Sequence, residues 1–381
     1  MPYPNLNLNQ ATVLRPIIAA LVLFCNGPPA HGSPSGEVGL FGNLTYRDTE
    51  DHDFRSNPFN TSLDLYTAGR LSNRWSGLLE FVLEHEKDYS EAEIERINIT
   101  YEHSTALRLG AGRFHTPLGY WNKAYHHGRQ LFDTVERPFF LEFEDSGRGT
   151  GILPSHTVGL QASGVRDVAS GSFRYSLLAG SAHRMDSSEW EEPGGAEVHP
   201  SYRFEDSDQL TWTASGSFHS RNDHFQVGLS ARDHHIVEDG SLGDGAITAE
   251  GEELFNQEIL AADMRYRQGR WEIFGEYFYI RSRDQFASEQ RFDSRAYYAQ
   301  LAYSLTPSLR GVYRYARLDF DQDDPYYQLL DAREETHHIF TLRYDLNLNH
   351  TLKLEYEAVD GQSKDHRSPD IYRFQWSFHW F

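Results

Sequence analysis

Leu210-Thr211-Trp212-Thr213-Ala214-Ser215-Gly216-Ser217-Phe218-His219 alternates without a break. Leu210, Trp212, Ala214 and Phe218 fall on one side, and Thr211, Thr213, Ser215, Ser217 and His219 on the other. Successive side chains of a β-strand point to opposite faces, so this stretch is a strand with one apolar and one polar face. The same period extends in both directions. Toward the N-terminus it predicts strands at Gly36–Arg47, Asn60–Leu71, Arg74–Glu84, Glu93–Glu102, Ala106–His115, His156–Arg166 and Gly171–His183. Toward the C-terminus it predicts Phe225–Ile236, Ile259–Gln268, Trp271–Arg281, Arg295–Leu305, Leu309–Leu318, His337–Leu346, Thr351–Val359 and Ile371–Trp380. With Leu210–His219 that makes sixteen.

The connections select the architecture. Very short links, such as Ser72-Asn73, Ser104-Thr105, Gly269 and Thr306-Pro307, alternate strictly with links of about eight to forty residues. An even number of strands of about ten residues, with tight turns at one end and long loops at the other, is the pattern of a membrane barrel. Closure pairs every strand edge, as lipid demands. The expected fold is all-β: a 16-stranded antiparallel transmembrane β-barrel, wide enough to hold water.

Composition agrees. The chain has 381 residues, 14% of them aromatic, one cysteine and a net charge of −21. It has no apolar run of about 18 residues, so no ordinary membrane-spanning helix is expected. The acidic balance excludes a nucleic-acid partner, which needs a basic face. Three long connections, Arg184–Gln209, Glu238–Glu258 and Asp319–Glu335, hold 22 acidic and three basic residues. They read as a solvated outer face in contact with lipopolysaccharide. Residues 1–32 contain Arg15, the apolar run Ile17–Phe24 and the triplet Ala30-His31-Gly32, which reads as a secretory signal peptide. Residues 33–381 are then the barrel.

One segment breaks the pattern. Residues 116–154 have no steady period yet are rich in aromatic, basic and acidic side chains. A connection this long is either functional or disordered, and disordered chains are poor in aromatics. It is expected to fold into the barrel as a pore-constricting loop after the fifth strand, carrying Tyr120, Trp121, Tyr125, His127, Arg129, Glu142, Glu144 and Asp145. Alternation sends Arg96, Arg108, Arg310, Arg314 and Arg343 to the interior as an opposing basic wall. Charged rings of this kind set pore selectivity. Strict counting sends Arg113 outward, to lipid or a subunit interface.

Metal and catalytic readings are weak. His126-His127, His234-His235 and His337-His338 are adjacent pairs, and neighbours on a strand cannot easily share an ion. Asp319-x-Asp321-x-Asp323 lacks the later glycine and glutamate of a Ca²⁺ loop. No metal and no cofactor are expected. His219-Ser220-Arg221-Asn222 faintly resembles a barrel phospholipase motif, but it sits in a predicted short turn. No enzymatic activity is expected. A barrel hydrolase and a sheath around a periplasmic partner are the alternatives.

The final strand, Ile371-Tyr372-Arg373-Phe374-Gln375-Trp376-Ser377-Phe378-His379-Trp380-Phe381, alternates aromatic with polar residues and ends on Phe. Here the sequence resembles the bacterial outer-membrane porins, although Phe381 falls on the opposite parity from the aromatic face. Gly112-Arg113-Phe114-His115-Thr116-Pro117-Leu118-Gly119 resembles the strand-to-loop passage of the phosphate-selective (O/P-type) and related 16-stranded porins. The resemblance implies a homotrimeric channel of the bacterial outer membrane, in contact with its lipid. Its cargo would be small hydrophilic, charged solutes, anions among them.

Overall fold

The computed structural model describes residues 36–49, 58–86, 89–125, 128, 131–141, 152–188, 196, 198–200, 209–240, 245–286, 289–361 and 370–380. The proposed signal peptide lies outside them. Eighteen strands form one sheet. In chain order they are β1 (Gly36–Thr49), β2 (Phe59–Arg70), β3 (Trp75–Glu86), β4 (Tyr89–Ser104), β5 (Leu107–His115), β6 (His156–Val168), β7 (Gly171–Ser181), β8 (His183–Met185) and β9 (Val198–Pro200). They continue as β10 (Leu210–Ser220), β11 (Phe225–Glu238), β12 (Glu253–Gln268), β13 (Trp271–Asp284), β14 (Arg291–Ser304), β15 (Leu309–Asp319), β16 (Glu335–Asp345), β17 (His350–Gly361) and β18 (Ile371–Trp380).

All but β8 and β9 build the wall, which is therefore sixteen-stranded. Each wall strand pairs antiparallel with the next, β7 with β10, and β18 closes on β1 with Leu40 opposite Trp380 and Thr45 opposite Gln375. The short β8 lies parallel to the end of β11 and carries β9 beside it. The described residues contain no helix long and apolar enough to cross a membrane; the crossing elements are the strands.

Alternation decides which way each side chain points. Leu160, Leu177, Leu210, Leu229, Leu260 and Leu354 are more than half exposed on the outer surface. Their neighbours in sequence, such as Thr211, Ser230, Lys353 and Glu355, are buried on the inner one. Aromatic pairs flank the apolar band. Trp75–Tyr101 and Trp271–Tyr303 lie beside the short turns, and Tyr46–Phe59 and Tyr356–Tyr372 lie toward the other end. Such girdles match the two interfaces of a bilayer. Leu260 pairs with Ala231 and Tyr279 near the middle of the wall. Replacing it with Arg should destabilise the folded barrel by about 2–4 kcal/mol, read from urea titrations in lipid. The same change at Leu348, in a short turn and 91% exposed, should be nearly neutral.

All sixteen predicted strands exist, with ends displaced by a few residues. In proportion to its predicted length, the connection between β3 and β4 shortens most. The sequence suggests about eight residues there, but only residues 87 and 88 separate the strands. The two strands stay paired beyond the apolar band, through His85 opposite Ser90.

The acidic connection after β15 is more than a solvated surface. Asp324 caps the short helix α1 (Pro325–Leu329), accepting from the Tyr326 amide at 3.0 Å. Burial pushes the Asp324 carboxyl up to about 7. Tyr326 and Tyr327 are fully buried. The Tyr326 hydroxyl donates to the Ile152 carbonyl at 3.1 Å, and Tyr327 stacks on Phe320. The aromatic residues pull this loop inward, and acidity alone does not signal that.

Candidate functional site

The inner face of β12–β15 is unusually apolar. Phe274, Phe278 and Ile280 on β13, Ala296 and Tyr298 on β14, and Ala316 and Leu318 on β15 are all buried. They share one cluster with Leu118, Trp121, Phe132, Phe139 and Phe140 from the segment between β5 and β6. Trp121 lies edge-on to Phe132, Tyr125 and Tyr298 and stacks over Phe274. Tyr120 meets Phe274 edge-on. Aromatic pairs in these geometries add about 0.5–1.5 kcal/mol each beyond their buried area.

The segment is also held by hydrogen bonds to side chains on the same inner face. Glu276 on β13 accepts from the backbone N–H groups of Tyr120 and Trp121, the latter at 3.0 Å, and from the Tyr298 hydroxyl at 2.6 Å. Gly119 donates to Ser230 Oγ at 2.9 Å. It has φ +68°, and any Cβ would collide with the Glu276 carboxylate, so glycine is required twice over. A short helix, Trp121–Ala124, follows immediately.

Further on, Arg314 of β15 donates to Thr134 Oγ1 at 2.9 Å, to the Glu136 carbonyl at 2.8 Å and to the Arg137 carbonyl at 2.9 Å. Its guanidinium lies 5.6 Å from the Trp121 ring. Arg310 binds Asp133 at 2.9 Å, and Arg343 of β16 donates to the Phe132 carbonyl at 2.7 Å. Lys353 of β17 donates to the Thr134 carbonyl at 2.8 Å and to Gln375 at 3.0 Å. Glu355 accepts from the Val135 amide at 2.7 Å, and Arg373 of β18 pairs with Glu355, Glu357 and Glu136. Buried charges require this degree of hydrogen bonding.

The structure thus brings Arg310, Arg314, Arg343, Tyr120, Trp121 and Tyr125 into one region. Arg96 and Arg108 stand apart from it: Arg96 pairs with Glu80, and Arg108, nearly half exposed, lies 3.8 Å from Glu102. His127, Arg129, Glu142, Glu144 and Asp145 lie outside the described residues. Sequence reasoning passed over Phe132, Asp133 and Thr134, which have no periodicity to mark them. It also passed over Glu276 and Lys353 as site residues, although their parity points inward. Arg113, assigned by counting to the outside, is 3% exposed and bound to Glu93 and to His156. A register shift between β3 and β4 at Glu80/Phe81, and Gly112 at φ +139°, disturb the strict alternation there.

The histidine pairs on strands do face opposite ways. His234 meets Gln257 and His235 meets Glu253, while His337 meets Glu335 and Glu357 and His338 meets Tyr313. At the β10–β11 turn, His219 approaches Ser217 at 3.1 Å, and Ser220 and Asn222 bond to each other.

A closed wall of sixteen antiparallel strands, apolar outside and polar inside, defines a membrane-spanning β-barrel. No family model matches the sequence, and no curated protein does. Solved structures match it. The outer membrane channel DcaP of Acinetobacter baumannii superposes with a TM-score of 0.58 at 12% identity, over 93% of this chain and 99% of that one. OmpT of Vibrio cholerae, an outer membrane protein in a trimer form, gives 0.55 at 10% identity, over 91% and 99%. The anion-selective porin from Comamonas acidovorans gives 0.55 at 9% identity, over 91% and 99%. The chain has the fold of the 16-stranded porins of the bacterial outer membrane.

Proposed function

We propose that this protein is a passive outer-membrane channel for small hydrophilic, charged solutes, and that residues 116–154 fold into the barrel and narrow it. The observation that carries the reading is the row of inner-wall cations on three successive strands. Arg310, Arg314, Arg343 and Lys353 all hold the stretch Phe132–Arg137. These cations serve as anchors, so selectivity has to come from other charges. Near the short-turn end, Arg70, Arg108 and Arg174 have inward parity and are exposed, and Arg267 is half-buried against Glu272; Glu37 and Glu102 accompany them there. Four guanidiniums at one mouth focus a field that attracts anions. The likeness to a porin described as anion-selective, and to one described as a trimer, supports anions as the favoured class and a homotrimer as the assembly.

The test is planar-bilayer recording under a KCl gradient. Discrete conductance steps are expected, with a reversal potential on the anion-selective side. Replacing Arg70, Arg108, Arg174 and Arg267 together by Ala should move that potential toward the cation side. Steps with an unchanged potential would keep the channel and reject this mouth as its filter. Folded protein giving no steps would reject the channel.

A further inference from the structure

His115 closes β5 and His156 opens β6, and the two residues are partners across the ladder. The whole of residues 116–155 is strung between them. Their rings lie 5.4 Å apart. Both Nε2 atoms approach the same carboxylate oxygen, Glu95 Oε1, that of His115 at 3.7 Å and that of His156 in closer contact. One potential ligand atom from each of the three residues lies within 4.8 Å of the other two. Glu95 and His156 are buried, and the His115 side chain is one-tenth exposed.

Glu95 sits where the β3–β4 ladder slips. Glu80 pairs with Arg96 and Phe81 with Ile94, so Glu95 is the extra residue at the slip. A bulge of this kind re-aims a side chain, and here it accompanies a carboxylate set against two imidazoles from the neighbouring strands.

We propose that Glu95, His115 and His156 form a binding site for a divalent transition-metal ion at the stem of the segment. Two imidazoles and one carboxylate suit Zn²⁺, Ni²⁺ or Cu²⁺ and disfavour Ca²⁺ and Mg²⁺, which prefer all-oxygen sets. Two ligands that each lie about 2.1 Å from an ion stand at most about 4.2 Å apart. The wider separations need a small contraction, while His156 and Glu95, in direct contact without an ion, part to the roughly 3.4 Å that tetrahedral coordination sets. Three protein ligands leave a coordination position open to water or to an anionic solute.

The neighbouring charges are arranged to tolerate a cation. Arg96 is paired with Glu80 and Arg113 with Glu93. Arg113 also lies 3.2 Å from His156 Nδ1. An ion on Nε2 leaves Nδ1 as an N–H donor, so that contact gives way, and Ser155 Oγ, 3.4 Å from Nδ1, accepts instead. Outer-shell partners of this kind orient a metal-bound imidazole. The site stands whether or not the barrel is a channel. Its consequence is local: an ion would tie β4 to the two strand ends from which the segment departs and returns.

The test is isothermal calorimetry of Zn²⁺ against the purified, chelator-washed chain in detergent, with folding followed by heat-modifiable gel mobility. The wild type is expected to retain a binding event of one Zn²⁺ per chain that vanishes in the His115→Ala/His156→Ala double variant. Glu95→Gln, which keeps the shape, should weaken it by about tenfold or more. The chain has 19 histidines, so His234→Ala/His235→Ala serves as the control and should leave that event intact. Zinc binding unchanged in the folded double variant, or no binding by the wild type, would overturn the site. Should the variants not fold, X-ray absorption of the zinc-loaded wild type decides: two imidazoles and oxygen support the site, and an oxygen-only shell overturns it.

Discussion

Replacing Arg314 by Ala should open the barrel. The side chain is fully buried and makes three hydrogen bonds to Thr134, Glu136 and Arg137. Hydrogen bonds from a charged group contribute about 1.5–3 kcal/mol each, and deletion removes one donor from each of two backbone carbonyls, of which that of Glu136 keeps the Thr134 hydroxyl at 2.8 Å. The wall strands keep their own ladders, so the loss falls on the segment. We expect a folded barrel with a larger single-channel conductance, faster tryptic cleavage after Lys123 and faster glutamyl-endopeptidase cleavage after Glu136. Arg314→Lys keeps the charge but cannot span three acceptors with a rigid fork, and should fall between. A conductance and cleavage pattern identical to the wild type would remove Arg314 as the anchor.

Glu276→Ala should act on the other end of the segment. It strips the acceptor from two backbone amides, those of Tyr120 and Trp121, and from the Tyr298 hydroxyl. A buried donor left unsatisfied costs about 1–3 kcal/mol, so the expected loss exceeds that of an ordinary surface change several-fold. Tryptic cleavage after Lys123 should accelerate more than glutamyl-endopeptidase cleavage after Glu136, because Glu276 holds residues 120–121 and Arg314 holds residues 134–137. Combined, the two changes should be less than additive, since both release one packed unit. Glu276→Gln retains one acceptor oxygen and should show a smaller effect. Equal acceleration at both sites by either variant would mean that the segment detaches as a whole and that neither contact is local.

Much of the fold was legible because the solvent of a membrane barrel acts on each strand separately. Lipid outside and polar groups inside impose a period of two on every strand. Trp212 and Thr213 therefore declare their faces without reference to any distant residue. The count of sixteen and the approximate strand limits follow from that. The inward parity of Arg310, Arg314, Arg343, Lys353 and Glu355 was readable for the same reason. Where the period fails locally, near Arg113, the reading failed too, because a one-residue slip inverts every inference downstream of it.

By itself, the sequence determined a closed barrel of sixteen strands, its apolar outer band, its polar interior and the one connection too long and too aromatic to be a simple loop. Only the tertiary structure decided what the interior residues meet. Val135 bonds to Glu355, 220 positions away, and Tyr120 to Glu276, 156 positions away. No periodicity links such residues. They meet because ladder closure curves the wall and brings β12–β17 around the Leu118–Phe140 cluster, whose aromatic side chains gain most by burial against the apolar inner face of β13–β15. The inner-wall arginines, legible only as cations facing inward, became anchors for a specific stretch of backbone through that same closure.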